Sequence, residues 1–325
     1  MNLEFRPMPI TDFDRYFEMD YIGGMGFDPG SALKEAVRVE HRFFNQVADP
    51  CWMVAHDLDR KGNTAIGFVA GCHITDWATE ELINADEPYP HPKFLKWYRQ
   101  GRNPFVTGSQ IAAANAFEGL NLITTHFGWD RSLTLEQAAH IRSHVLSHYS
   151  AHYSGLRFKR MIAEVYSEAS LADCYTAGFR VRNEYPSWTL APNDRPFKPI
   201  LLVLEREEAL AGSNYFMMSL FAYQTPRIHF SDSQRELLLL ARAGYSDRQS
   251  ADALSISEDA IKARWKSIYS KVNSCMPDLL PENEADGRGP EKRRVLMTYL
   301  KNHPSEFWPF KTSAHIGCDR ECRVP

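Results

Sequence analysis

Residues 230–272 read FSDSQRELLLLARAGYSDRQSADALSISEDAIKARWKSIYSKV, and the punctuation of this stretch decides the fold of the C-terminal third. Ser231, Ser246 and Ser257 each stand directly before a run with helical spacing, where a side-chain oxygen accepts the unpaired amide hydrogens of a helix start. Gln234 and Gln249 follow the first two serines at the third position, which completes capping boxes. Between the caps, Leu237, Leu238, Leu240 and Ala241 make the apolar side of a first helix that Gly244 ends. Ala251 and Leu254 point inward from a second helix over 247–254. Ile261, Trp265, Ile268 and Val272 recur at spacings of 4, 3 and 4 along a third over 258–272. Helices this short bury little surface alone, so they are expected to pack as a trihelical unit with a tight turn at 255–257.

Working outward from that core, the third helix leaves Lys262, Ala263, Lys266 and Ser267 on its other face, with Arg264, Ser270 and Lys271 toward the edges. Residues 227–272 hold eight Lys or Arg against six Asp or Glu, and 260–272 hold four basic residues and no acidic one. That face suits a major groove. Lysine donates to guanine acceptors, small side chains allow close approach, and the capped helix starts at Ser246 and Ser257 receive phosphate oxygens. The chain as a whole carries 37 Lys and Arg against 41 Asp and Glu, a net charge of −4, so contact with a polyanion has to be local.

This stretch resembles the LuxR/FixJ type of helix-turn-helix. The likeness rests on a capped first helix with Arg235 and Glu236, on Gly244, on a capped second helix, and on Ile256, Ser257, Ile261 and Lys262 in register. The resemblance implies a sequence-specific transcriptional regulator bound to double-stranded promoter or operator DNA, with the positions of Lys262, Ala263 and Lys266 approaching the bases. Three residues depart from the pattern: Ser250 stands where the family has Ile, Ser255 where it has Gly, and Ala260 where it has Thr. The dimer helix that directly follows in the family is displaced here by an acidic, proline-containing insert at 277–289. The segment EKRRVLMTYLKNH (291–303) carries Val295, Leu296, Tyr299 and Leu300 as an apolar stripe. It is expected to form a homodimer or to pack on the trihelical unit, with Lys292, Arg293 and Arg294 either near phosphate or simply solvated.

A chain of 325 residues, 44% of them hydrophobic, has room for about two domains. The expected layout is an α+β domain over 1–205, a connector at 206–228, the all-α reader at 229–275 and an extension over 276–325. Strands are expected at 51–56 and 64–75, joined through Asp-Leu-Asp-Arg-Lys-Gly-Asn as a hairpin, and again at 119–127, 159–167, 179–185 and 199–205. Helices are expected at 134–154 and 170–177, stopped by Gly155 and Gly178. A stretch rich in Pro, Trp and Tyr between them, 77–105, reads as a long functional loop.

The order of these elements, and MIAEVYSEASLADCYTAGFRVRNEY (161–185) in particular, resembles the GNAT acyltransferase fold: a strand, a short helix with a Tyr, Gly-Phe, and a closing strand, within a mixed sheet flanked by helices. Catalysis in that fold depends on a Gln/Arg-x-x-Gly-x-Gly/Ala loop whose amides grip the pyrophosphate of acyl-CoA. The corresponding GWDRSLTLEQAAHIRSHVL (128–146) has no such glycine pair. The domain is therefore expected to be a sensor for an unidentified small-molecule effector, or an interaction module. No enzymatic activity, catalytic residue or cofactor is expected. Two alternatives stand beside this: an acyl-CoA-dependent acyltransferase fused to a DNA-binding module, and a regulator responding to acyl-homoserine lactone. A phosphorylated receiver is argued against, because residues 1–120 lack the early acidic pair, central Asp and later Lys of that fold.

Other constellations are open to more than one reading. His140, His144, His148 and His152 recur every four residues, with Glu136 just before them. Adjacent pairs could hold a metal, respond to pH, or lie as a solvated row. Trp77, Tyr89, Phe94, Trp97 and Tyr98 line a ligand pocket or form a small satellite core. His315, Cys318 and Cys322 read as part of a metal site or as an ordinary tail, a zinc site needing a fourth ligand and usually tighter spacing, and the six cysteines are expected as reduced thiols. With no run of 18 apolar residues and no signal-peptide pattern at the start, a cytoplasmic protein without membrane contact is expected.

Overall fold

The computed structural model describes residues 2–7, 21–22, 51–60, 64–130, 132–189, 197–281 and 289–310. The chain divides into two compact units. The first is Met1–Gln110, Glu118–Tyr153 and Phe158–Phe221; the second is Ile111–Phe117, Ser154–Arg157 and Ala222–Pro325. Among the described residues no helix is long and apolar enough to cross a membrane.

An eight-stranded sheet forms the frame of the first unit: β1 (Leu3–Pro7), β2 (Tyr21–Ile22), β3 (Cys51–Asp57), β4 (Thr64–Ile74), β5 (Leu120–Asp130), β6 (Phe158–Val165), β7 (Arg180–Asn183) and β8 (Ile200–Glu205). Its order is β1-β3-β4-β5-β6-β8-β7, with β2 paired to the far end of β5. All pairings are antiparallel except that of β5 with β6. A parallel pair needs a crossover, and the crossover here is a long helix, Leu135–Tyr153.

Three helices, α1 (Asp76–Ile83), α2 (Pro90–Arg99) and α3 (Gly108–Ala116), precede β5, so the long loop expected at 77–105 is largely helical. The prolines that read as loop punctuation start a helix instead. Pro90 occupies the first position of α2, where the missing amide hydrogen has no helical partner to lose. At the start of α1, the Thr75 hydroxyl accepts the Ala78 N–H at 3.3 Å. The crossover helix, α4, buries Ala138, Ile141, Val145, Tyr149 and Tyr153. Its approach to β4 requires Gly71, where a Cβ would lie 2.6 Å from the Tyr149 hydroxyl. A short α5 (Glu168–Ala177) ends at left-handed Gly178 as its sequence requires. Residues expected as a connector form α6 (Arg206–Ala211) and α7 (Tyr215–Phe221), the latter burying Met217, Leu220 and Phe221.

In the second unit, α8 (Asp232–Arg242), α9 (Asp247–Leu254) and α10 (Glu258–Cys275) begin where the serine caps predict. Ser231 and Ser246 accept the N–H of Gln234 and Gln249, and the two glutamine side chains reciprocate; Ser257 accepts from Ala260. Leu237, Leu238, Ala251, Ile261, Trp265, Ile268 and Val272 form the core between them. The helix α11 (Gly289–Asn302) adds Leu296 and Leu300 to that core, and the 3-10 turn Pro304–Phe307 adds Phe307. Glu306, 2% exposed, closes this end: its carboxylate accepts the N–H of Arg227 (2.8 Å) and Ile228 (3.1 Å) and the hydroxyl of Tyr299 (3.0 Å).

Two short segments from earlier in the chain belong to the same unit. Asn115 donates to the Pro309 carbonyl (3.0 Å) and accepts from Arg157 N–H (3.1 Å), and the Trp308 indole donates to the Ser154 carbonyl (2.8 Å). Gly155, at φ +86°, lies so close to this segment that a Cβ would meet the Pro304 and Ser305 backbone at 2.3 Å.

Candidate functional site

Where β5 and β6 part, the first unit holds a cavity of about 370 Å³. Their parallel pairing covers only Leu120–Thr124 against Phe158–Ala163. Beyond that, β5 stays with β4 as far as Gly67↔Trp129, and β6 stays with β8 as far as Val165↔Ile200. Each strand keeps its outer neighbour while the two part from each other, β5 meeting β2 only at Trp129 and Asp130, which leaves a wedge between them. At its apex the register of β4 and β5 slips between Ala70 and Gly71, making Thr125 the extra residue of a bulge, a device that re-aims a strand beside a site. Thr124, Thr125, Phe127 and Trp129 line the wedge from β5, and Met161, Ala163 and Val165 from β6. Two helices cover it, each with one face: Arg142, Leu146 and Tyr149 from α4, and Ser170, Asp173, Cys174 and Ala177 from α5.

The chemistry in the wall centres on Glu164, at the end of β6. Its carboxylate accepts the hydroxyl of Tyr166 (2.6 Å), the N–H of Tyr89 (2.8 Å) and the hydroxyl of Tyr185. Burial pushes this carboxyl above the ordinary range, and the two tyrosine hydroxyls, the Tyr89 amide and the Lys93 charge partly offset the rise. Three donors leave one of its lone-pair positions open, so it accepts one further proton or hydrogen bond. Tyr89 (φ 71°) and Tyr185 (φ 48°) are two of the four described non-glycine residues with positive φ. Backbone strain of this kind is held in place by its surroundings and gathers at functional sites. On α5, burial and then the neighbouring Asp173 push the Cys174 thiol up to about 12, which keeps it protonated. Asp173 itself pairs with Arg142 at 2.9 Å, joining α5 to α4.

At the start of α4 several amides already have partners. Thr134 and Gln137 cap each other, and Ser132 N–H goes to the Asp130 carboxylate (2.7 Å). The acidic Asp130 there also pairs with Arg60 (3.4 Å).

The residues singled out from sequence fall as follows. Phe94 and Trp97 are buried in the core of the first unit with Trp77 and Tyr98 packed against it, Trp77 lying edge-on to Trp97 and under Arg102. None of the five aromatics lines the cavity; Tyr89 comes nearest, stacking on Tyr166 with ring centroids 5.9 Å apart. The tyrosine of the short helix, Tyr175, is half-exposed, and Cys174 faces the cavity instead. Among the described residues no group of three or more His, Cys, Asp or Glu could hold a metal ion. His144 bonds the His140 carbonyl through Nδ1 (2.9 Å), and Phe5 stacks on His148 and His144. His315, Cys318 and Cys322 lie outside the described residues, while Cys51, Cys72, Cys174 and Cys275 are thiols.

On α10, Lys262, Ala263 and Lys266 are exposed side by side, with Lys262 held by Asp259 at 2.9 Å. The neighbours named with them bond within the unit: half-buried Arg264 and Lys271 bond the Ser233 carbonyl (3.0 Å) and the His229 carbonyl (2.5 Å), and exposed Ser267 accepts from Gln234 (3.0 Å). Ser246 and Ser257 are exposed, their hydroxyls spent on the caps. Arg293 stacks over Trp265 (4.5 Å) and bonds Asp247 (2.8 Å) at the start of α9. Glu164, Tyr166 and Tyr185 were missed from sequence, though a single acid in the apolar run MIAEV was a legible signal.

No protein-family model matches the chain, and no curated protein does. Solved structures similar to the chain include Arabidopsis thaliana NAA60 in complex with acetyl-CoA, at 16% identity over 63% of this chain and 98% of that one, with a TM-score of 0.37. Another is the ribosomal-protein-S18-alanine N-acetyltransferase from Escherichia coli, at 11% identity over 66% and 98%, with a TM-score of 0.35. A third is mosquito arylalkylamine N-acetyltransferase like 5b, at 12% identity over 63% and 100%, with a TM-score of 0.36. Such scores are too low to bring a substrate or a mechanism over to this chain. One of the three is in complex with acetyl-CoA and the other two are named N-acetyltransferases, and on that finding the expectation of no enzymatic activity is corrected.

Proposed function

We propose that this chain is an acyltransferase that takes its acyl group from a thioester donor and is joined to a DNA-binding unit. The cavity at the parting of β5 and β6, with Glu164 in its wall, is the observation that carries the first half. The acyl group of a thioester fits such a wedge, whose walls include Phe127, Trp129, Leu146 and Phe216. The start of α4 has no glycine pair and the Thr134 and Gln137 amides there are spent on a mutual cap, so the arm and the acyl group supply most of the affinity.

In the reaction, the acceptor amine gives a proton to Glu164 and its nitrogen bonds to the carbonyl carbon. The C–S bond then breaks, and the proton passes to the departing sulfur to give the thiol. A carboxyl held above the ordinary range by burial suits that exchange. Calorimetry with acetyl-CoA and mass spectrometry of an acylated amine test the reading. Stoichiometric binding with product, lost in Glu164→Gln, is expected; absence of both binding and product refutes it.

The second unit is proposed as a helix-turn-helix that reads double-stranded DNA as a homodimer, with α10 in the major groove. Three adjacent exposed residues, Lys262, Ala263 and Lys266, favour this. Lys262→Ala with Lys266→Ala is expected to abolish a sequence-specific footprint while leaving the melting curve in place. An unchanged footprint removes the reading.

A further inference from the structure

The helix α5 is anomalous in having no buried residue at all. A ten-residue helix draws its stability from a face packed on something, since its own propensity is marginal at that length. The face it turns inward, Ser170, Asp173, Cys174 and Ala177, lies over the cavity instead of the core. The opposite walls are apolar, with Phe127 and Trp129 on β5, Leu146 on α4 and Phe216 on α7 among them. Polar groups in the β6 wall gather at Glu164 and Tyr166, its last turn of sequence.

An acetyl group would leave most of about 370 Å³ unfilled. A methylene takes roughly the 30 Å³ share of a water molecule, so the volume holds a chain of about ten to twelve carbons.

We propose that the cavity selects a medium-chain aliphatic acyl group, of about eight to twelve carbons, packed between α5 and the parted strands β5 and β6. The inference rests on the acyl-thioester reading above and names its donor. The ligand completes the packing that α5 lacks, so the helix orders around the chain it encloses.

The test is calorimetry of the full chain with a series of acyl-CoA thioesters from acetyl to hexadecanoyl. Affinity is expected to rise about fourfold per added methylene and to level off between octanoyl and dodecanoyl. Leu146→Trp, which fills part of the cavity, is expected to move the plateau to shorter chains, with a melting curve run alongside to confirm that the variant is folded. Affinity that does not change with chain length, or a plateau that Leu146→Trp does not move, overturns the inference and leaves the acyl-thioester reading standing. Failure of every thioester, acetyl included, removes that reading and the inference with it. Free decanoic acid separates the chain from the thioester: binding as tight as that of decanoyl-CoA overturns the assignment to a thioester donor.

Discussion

Two serines four residues apart, one capping α9 and one inside it, are expected to respond to alanine with opposite signs. Ser246 caps the helix and takes part in a two-way box with Gln249. Ser250, one turn on, is fully buried, and its hydroxyl has no hydrogen-bond partner among the described residues. Leaving a buried hydroxyl unmade costs about 1–3 kcal/mol, and alanine is also the better helix former by about 0.5 kcal/mol. The small void left by the oxygen takes some of this back, so Ser250→Ala should stabilise the second unit by about 1–2 kcal/mol. Ser246→Ala, which removes a cap, should cost about 1 kcal/mol. For a unit of this size each kcal/mol shifts the midpoint by about 4–8 °C, within easy reach of scanning calorimetry on the full chain. Urea titration should show the same order of midpoints with unchanged slopes. A lower midpoint for Ser250→Ala refutes the reasoning, because it means that the hydroxyl is bonded, for example to a buried water, and contributes to stability.

The remaining expectations concern single groups. Ser255 closes α9 in the left-handed region (φ 53°, ψ 44°), so Ser255→Gly should add about 1 kcal/mol to the same transition, and a neutral result would show the strain to be absent. Glu306→Ala strands two backbone N–H groups and a hydroxyl; a loss of about 3 kcal/mol is expected, partly recovered in Glu306→Gln, and equal melting of all three proteins would contradict it. The Glu164 carboxyl is raised in the folded state, so its contribution to stability is full below the unfolded carboxyl range and is lost as pH climbs through the folded value. Glu164→Gln should therefore flatten the fall in urea midpoint across mildly acidic pH, and an identical slope in both proteins counts against the raised carboxyl.

The second unit was legible wherever the signal was local. Serine caps, glycine stops and 4-3-4 spacing are written within a few residues, and α8, α9 and α10 start where those marks stand. Even the departures from the helix-turn-helix pattern were informative: Ser250 and Ser255 mark an unpaired hydroxyl and a left-handed turn. What the face of α10 does with its charges was less legible, because Arg264 and Lys271 bond carbonyls from segments distant in sequence.

In the first unit, the parting of β5 from β6 could not be read at all. It depends on which neighbour each strand keeps, and both strands look like ordinary apolar runs. The helix α2 was misread because proline serves equally to begin a helix and to break one. The five aromatics fell on the ambiguous side of a similar choice, with burial deciding for the core.

The second unit is not continuous in sequence: residues 111–117 and 154–157 are built into it alongside everything after 222. Asn115 reaches Pro309 and Ser154 reaches Trp308 across more than 150 positions of chain. Closing contacts at that separation is slow and comes late in folding. On the ribosome, this unit stays incomplete until its last turn, Pro304–Phe307, has emerged, well after the sheet strands have been made. A fragment cut at the apparent boundary near residue 222 would therefore lack two of its own pieces, and any DNA-binding measurement on it would report on a damaged fold.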